Sequence, residues 1–142
     1  MGITIYSKNV NLSMGYGGFV RLRRTIANLC PKEIKDQYNF MVDNYIHLLS
    51  NPDELKTFDE KTEEIYEKNK TKYGKVMDFL WAPDVNAKLS YGTAKQLLQL
   101  IGDFDDGKIY GYAGWGKDAA KFSDFKNLLK DSVETKKPFK WD

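Results

Sequence analysis

The stretch "PKEIKDQYNFMVDNYIHLL", Pro31 to Leu49, carries the clearest periodicity in the chain. Ile34, Tyr38, Met41, Tyr45 and Leu48 recur at alternating spacings of four and three, which places them on one face of an α-helix. Pro31 suits the entry to that helix, because its missing N–H would have no partner there and its φ is already helical. The spacing predicts a helix over Lys32–Leu49, and helical signals extend to either side. Upstream, Phe19, Leu22, Ile26 and Leu29 form a stripe that ends at Pro31, which disfavours helical geometry in the residue before it. Downstream, Asn51 can cap, Pro52 can occupy a first turn, and Asp53 and Glu54 favour the positive end of a helix dipole, so a third helix runs to about Lys70. A short helix around Val76–Trp81, a fifth over Tyr91–Ile101 capped by Ser90, and a sixth over about Ser123–Thr135 complete the set.

Three segments read as extended. Ile3–Ser7 alternates β-branched and aromatic residues with polar ones, Lys108–Tyr112 follows an acidic turn as the body of a second strand, and "PFKW" closes the chain. "KNVNLSMGYGG", Lys8 to Gly18, reads as a loop. The expected fold is therefore a single α+β domain over residues 1–142: helix-rich, with a small, about three-stranded sheet from the N-terminal, Lys108–Tyr112 and C-terminal segments. A helical block of about residues 31–82 would be inserted between the first two strands.

Composition narrows the function classes. The 142 residues suffice for a core without disulfides or metal. With 22 basic and 20 acidic side chains, the net charge of +2 is too even to predict binding of long nucleic acid. The single cysteine, Cys30, excludes an intrachain disulfide and a cysteine-rich zinc site, and suits a reducing cytosol. No signal-peptide pattern opens the chain, and no apolar stretch approaches the roughly 20 residues that span a bilayer. The 14% aromatic content fits either a thick core or π faces presented to a partner.

Catalytic templates fail on spacing. His47, the only histidine, lies in the predicted second helix with no nucleophile placed beside it. "DFDDG", Asp103 to Gly107, has its glycine one position early for a calcium loop and no glutamate at the twelfth position, so it reads as an acidic turn. A carboxylate enzyme using Asp103, Asp105 or Asp106 stays open as a third reading, with no motif selecting it.

Two stretches echo each other: "GYGGFVRLRR", Gly15 to Arg24, and "GYAGWGKDAAK", Gly111 to Lys121. Each sets glycine-spaced aromatics ahead of cations and a helix. Glycines before a helix let N–H groups converge on an anion, arginine can grip phosphate in a bidentate fork, and aromatic faces can stack on a base. The ligand-binding candidates are Tyr16, Phe19, Arg21 and Arg24 with Tyr110, Tyr112, Trp115 and Lys117. Two tight turns with a solvated arginine face are the alternative.

"IYSKN", "MGYGGFVRLRRTIANL" and "KFSDFKNLLKDSVETKKPFKW" resemble the ends of small, mostly uncharacterised proteins encoded by phages and prophages of Gram-positive bacteria. The resemblance implies a phage accessory protein acting in the host bacterial cytoplasm. The resulting expectation is a non-enzymatic binding protein, without cofactor or metal, that counteracts host defence by sequestering a nucleotide-like small molecule. A direct inhibitor of a host defence protein is the alternative, and homo-oligomerisation stays open.

Overall fold

Alternation decides the sheet. In β1 (Gly2–Tyr6) Ile3 and Ile5 are buried while Thr4 and Tyr6 lie on the opposite face, as the two-residue period of a strand requires. Leu12 and Met14 of β2 (Asn11–Gly15) and Phe139 and Trp141 of β4 (Phe139–Trp141) continue the inward layer, and Ala87 of β3 (Ala87–Leu89) completes it. The computed structural model describes residues 2–111 and 120–142. Within them the strands form one antiparallel sheet in the order β2-β1-β4-β3. Helices cover its apolar face: α1 (Tyr16–Asn28), α2 (Lys32–Asp43), α3 (Tyr45–Leu49), α4 (Pro52–Trp81), α5 (Tyr91–Ile101) and α6 (Phe122–Thr135).

The fold class is the expected α+β domain, with two corrections to its sheet. The sheet has four strands among the described residues, and the described part of Lys108–Tyr112 is not one of them. Ile109 instead makes an isolated antiparallel bridge to Lys121, whose backbone leads into α6, and joins no strand of the sheet. The expected loop after Tyr6 instead turns within four residues and returns as β2, paired with β1 from Gly2↔Gly15 to Tyr6↔Asn11. The helical run α1–α4 consequently falls between β2 and β3.

Helix boundaries moved for local reasons. The first helix begins three residues early, taking Gly17 and Gly18 into its opening turn instead of leaving them as a loop. The second breaks at Asn44, whose backbone leaves helical geometry (φ −122°, ψ 21°) and whose side chain donates to the Phe40 carbonyl. That break rotates the stripe: Ile34, Tyr38 and Leu48 stay buried, but Tyr45 turns outward. The third and fourth helices fuse into the 30-residue α4. In the gap expected between about Lys70 and Val76, the Gln96 amide bridges the ladder, accepting from the Lys75 N–H at 3.0 Å and donating to the Thr71 carbonyl at 3.2 Å. A side chain set between i and i+4 backbone groups is a recognised cause of helix bending.

Phe79 centres the core. Its ring meets Phe19, Phe125, Phe139 and Trp141 at centroid separations of 5.7–6.5 Å. Each such fully buried aromatic contributes on the order of 1.5–3 kcal/mol from burial alone.

Candidate functional site

Helix α1 carries three arginines in four residues, and their fates differ because the helix turns about 100° per residue. Arg23 points inward and is buried. Its guanidinium lies 4.6 Å from the Phe19 ring centroid and 5.2 Å from that of Trp141, and donates to the Ala82 carbonyl at 2.8 Å and the Asp84 carboxylate at 3.1 Å. Burial lowers its pKa, and the charges of Tyr38 and Asp84 oppose that shift. Trp141 Nε1 donates to the Pro83 carbonyl at 3.0 Å, so the two side chains jointly strap residues 82–84 to the core. Arg23 is structural, not part of a solvated face.

Arg21, Arg24, Thr25 and Asn28 recur at i, i+3, i+4 and i+7 and form the outer polar face of α1. Arg21 donates to the Ile109 carbonyl at 2.8 Å and lies 5.3 Å from the Tyr110 ring centroid. Arg24 pairs with Asp43 at 2.9 Å. Thr25 Oγ1 shares a hydrogen bond with the Tyr110 hydroxyl at 3.0 Å, and that hydroxyl also donates to the Asp106 carboxylate. With Lys108, these groups surround a cleft of about 210 Å³. Each arginine has donors beyond those in use, since a guanidinium offers five. The Lys108 ammonium has no partner among the described residues.

The first stretch therefore meets Lys108–Tyr110, the segment that leads into the second. Gly18 shows how closely: a Cβ there would lie 1.8 Å from the Tyr110 carbonyl oxygen, so only glycine permits this approach of α1 to the 108–111 segment. Arg21, Arg24 and Tyr110 are brought together, and Tyr16, 37% exposed, sits at the start of the same helix.

The expected stacking roles of Phe19 and Tyr110 are corrected. Phe19 is 1% exposed and edge-on to Phe79 and Trp141, so its face belongs to the core. Tyr110 is 2% exposed, covered by Arg21 and packed on Phe122, and burial together with the Asp106 hydrogen bond pushes its pKa up to about 12. It is a floor for the cleft, not an open platform. Tyr112, Trp115 and Lys117 lie outside the described residues.

No family model, curated protein or solved structure matches the chain.

Sequence reasoning missed Thr25, Asn28 and Lys108. The first two were accessible from helical spacing, since they continue the Arg21–Arg24 stripe. Lys108 was not, because only tertiary packing carries it to α1. The acidic turn accounts for itself: the Asp105 and Asp106 carboxylates accept from the Gly107 and Lys108 N–H groups, as Asx turns do. His47 bridges α3 to α4 by a 2.5 Å contact with Glu54 and lies outside the cleft.

Proposed function

We propose that this protein is a non-enzymatic binding protein that captures a nucleotide-like ligand by its phosphate end in the α1 cleft. The observation that carries the reading is the convergence of Arg21, Arg24 and Lys108 with the Thr25 hydroxyl and Asn28 amide around one recess. Fixed guanidinium forks beside hydroxyl and amide groups are the chemistry that recognises phosphate. At about 210 Å³ the recess suits a phosphate or diphosphate group rather than a whole nucleotide, because complete small-molecule sites run to roughly 300 Å³ and above. The base would project beyond it. The terminal resemblance to phage and prophage proteins supports a setting in which this ligand is a host defence signal.

Thermal shift across a panel of linear and cyclic nucleotides tests the reading. A cognate ligand at 100 times its dissociation constant adds about 2.7 kcal/mol of stability. Arg21→Ala and Arg24→Ala should abolish the shift. No shift with any nucleotide contradicts the reading.

A second reading, direct binding of a host defence protein, is favoured by one observation. Phe40 of α2 and Tyr45, Ile46 and Leu49 of α3 are large apolar side chains left 49%, 57%, 78% and 57% exposed within ten residues of chain. Exposed apolar clusters mark interaction surfaces. Retention of a host protein by the wild type and its loss in Ile46→Asp would favour this reading over the first.

A further inference from the structure

The open face of the sheet carries an electrostatic anomaly. Lys140 in β4 is paired on one side with Tyr6 of β1 and on the other with Lys88 of β3, so Tyr6, Lys140 and Lys88 form one row across three strands. All three belong to the face opposite the buried Ile5, Trp141 and Ala87. Like charges directly opposite on a sheet repel, and an exposed pair is normally relieved by a neighbouring carboxylate. Among the described residues no carboxylate forms an ion pair with this one. Lys8 and Lys137 flank the row, and among the described residues no carboxylate lies within 4.0 Å of any of the four ammonium groups. Asp131, which holds the Ser7–Asn9 turn at this edge, accepts from the Ser7 hydroxyl at 2.6 Å, the Asn9 N–H at 2.8 Å and the Asn9 amide at 2.9 Å. Asp142 follows on β4 without pairing to a lysine.

The shape of the surface narrows the anion. Tyr6, Lys8, Lys88, Lys137 and Lys140 line a shallow trough of about 350 Å³. With strands about 4.8 Å apart, the row spans about 10 Å, too long for one phosphate and suited to consecutive phosphates of a chain. Lysine ammonium groups on flexible stems follow a backbone without demanding one geometry, and the Tyr6 ring at the end of the row offers a face on which a base can stack. The net charge of +2 averages this concentration away.

We propose that the open sheet face at Tyr6, Lys140 and Lys88, flanked by Lys8 and Lys137, binds single-stranded nucleic acid through its phosphate backbone, with Tyr6 stacking on a base. The site is separate from the α1 cleft and shares no residue with it.

Fluorescence anisotropy with a labelled oligodeoxythymidine of about 12 nucleotides tests it. Three or four phosphate contacts predict that affinity falls about 20- to 50-fold as salt rises from about 50 to about 200 mM, from the single-strand slope of about −0.7 per contact. Lys88→Glu and Lys140→Glu should each weaken binding at least about tenfold, one tenfold being about 1.4 kcal/mol. Both should leave the thermal midpoint unchanged or raised, since each turns a like-charged pair into an opposite one. Tyr6→Leu should weaken binding with little change in salt slope, and Arg21→Ala should bind like the wild type. Absence of binding at about 50 mM salt overturns the proposal. So does binding that survives both glutamate substitutions, that is lost in Arg21→Ala, or that is matched by a duplex of the same length.

Discussion

The arginine cleft on α1 and the lysine row on the sheet are both cationic, and they are held in opposite ways. Arg21 is fixed by the Ile109 carbonyl and the Tyr110 ring, and Arg24 by Asp43, so these cations already have defined geometry. Lys8, Lys88, Lys137 and Lys140 have no carboxylate within 4.0 Å among the described residues, although the Lys8 charge acts on Asp131. A held guanidinium loses little freedom when it meets a phosphate and discriminates by geometry. An unheld ammonium attracts by charge and releases counterions, so its binding depends steeply on salt and weakly on ligand shape. Charge alone therefore does not define the function of a basic patch; what fixes the charge does.

Arg23 gives the largest effect that separates a held cation from a buried one. Arg23→Ala removes the anchor of residues 82–84 and opens a void among Phe19, Phe79 and Trp141, at an expected cost of about 3 kcal/mol by urea denaturation. Arg21→Ala and Arg24→Ala, on the exposed side of the same helix, should each cost less than about 1 kcal/mol. Equal costs for all three would erase the distinction.

The two neighbouring glycines test the contact that builds the cleft. Gly18→Ala drives a methyl into the Tyr110 carbonyl and should destabilise by about 2 kcal/mol, although alanine is the better helix former. Gly17→Ala meets nothing within 4 Å and should stabilise by up to about 1 kcal/mol. Denaturation midpoints moving in opposite directions support the close approach, and two midpoints rising together would break it.

Alkaline pH gives a smaller and more gradual effect. Burial pushes the Cys30 thiol and the Tyr38 and Tyr110 hydroxyls each up to about 12, from ordinary values of 9.0, 10.0 and 10.0. All three are neutral when protonated, so the unfolded chain loses these protons first and deprotonation favours unfolding. Their contribution is fully present below about pH 9 and is lost as pH rises towards about 12. Tyr110→Phe should flatten part of this limb in a pH series of thermal midpoints without changing oligonucleotide binding. An unchanged limb would mean that the Tyr110 hydroxyl is not protected beneath the cleft.

Much of the helical layer was legible because its signals are local. The stripe Phe122, Phe125 and Leu129 and the Ser90 cap, which accepts from the Thr93 N–H at 3.2 Å, need no knowledge of distant residues. β2 was missed because Asn11, Ser13 and Gly15 look like loop residues, and only Leu12 and Met14 carry the alternation. β3 is three residues long and gains strand geometry from pairing with β4, about 50 residues away. The break expected between about Lys70 and Val76 is spanned by Gln96, which no local pattern could supply. The cleft divides in the same way. Arg21 and Arg24 were found by their chemistry, whereas nothing within "RLRR" says that Arg23 alone is buried, because Phe79 and Trp141 decide it from elsewhere in the chain. The lysine row depends on strand register and is invisible until β3 and β4 are paired.

The most direct test of the central claim is an NMR titration that follows the backbone amides while a nucleotide is added. Arg21, Arg24, Thr25, Asn28 and Lys108 should shift together with one dissociation constant while Tyr6, Lys88 and Lys140 stay in place. Shifts confined to the sheet row, or no shift at any amide with any nucleotide, would contradict it.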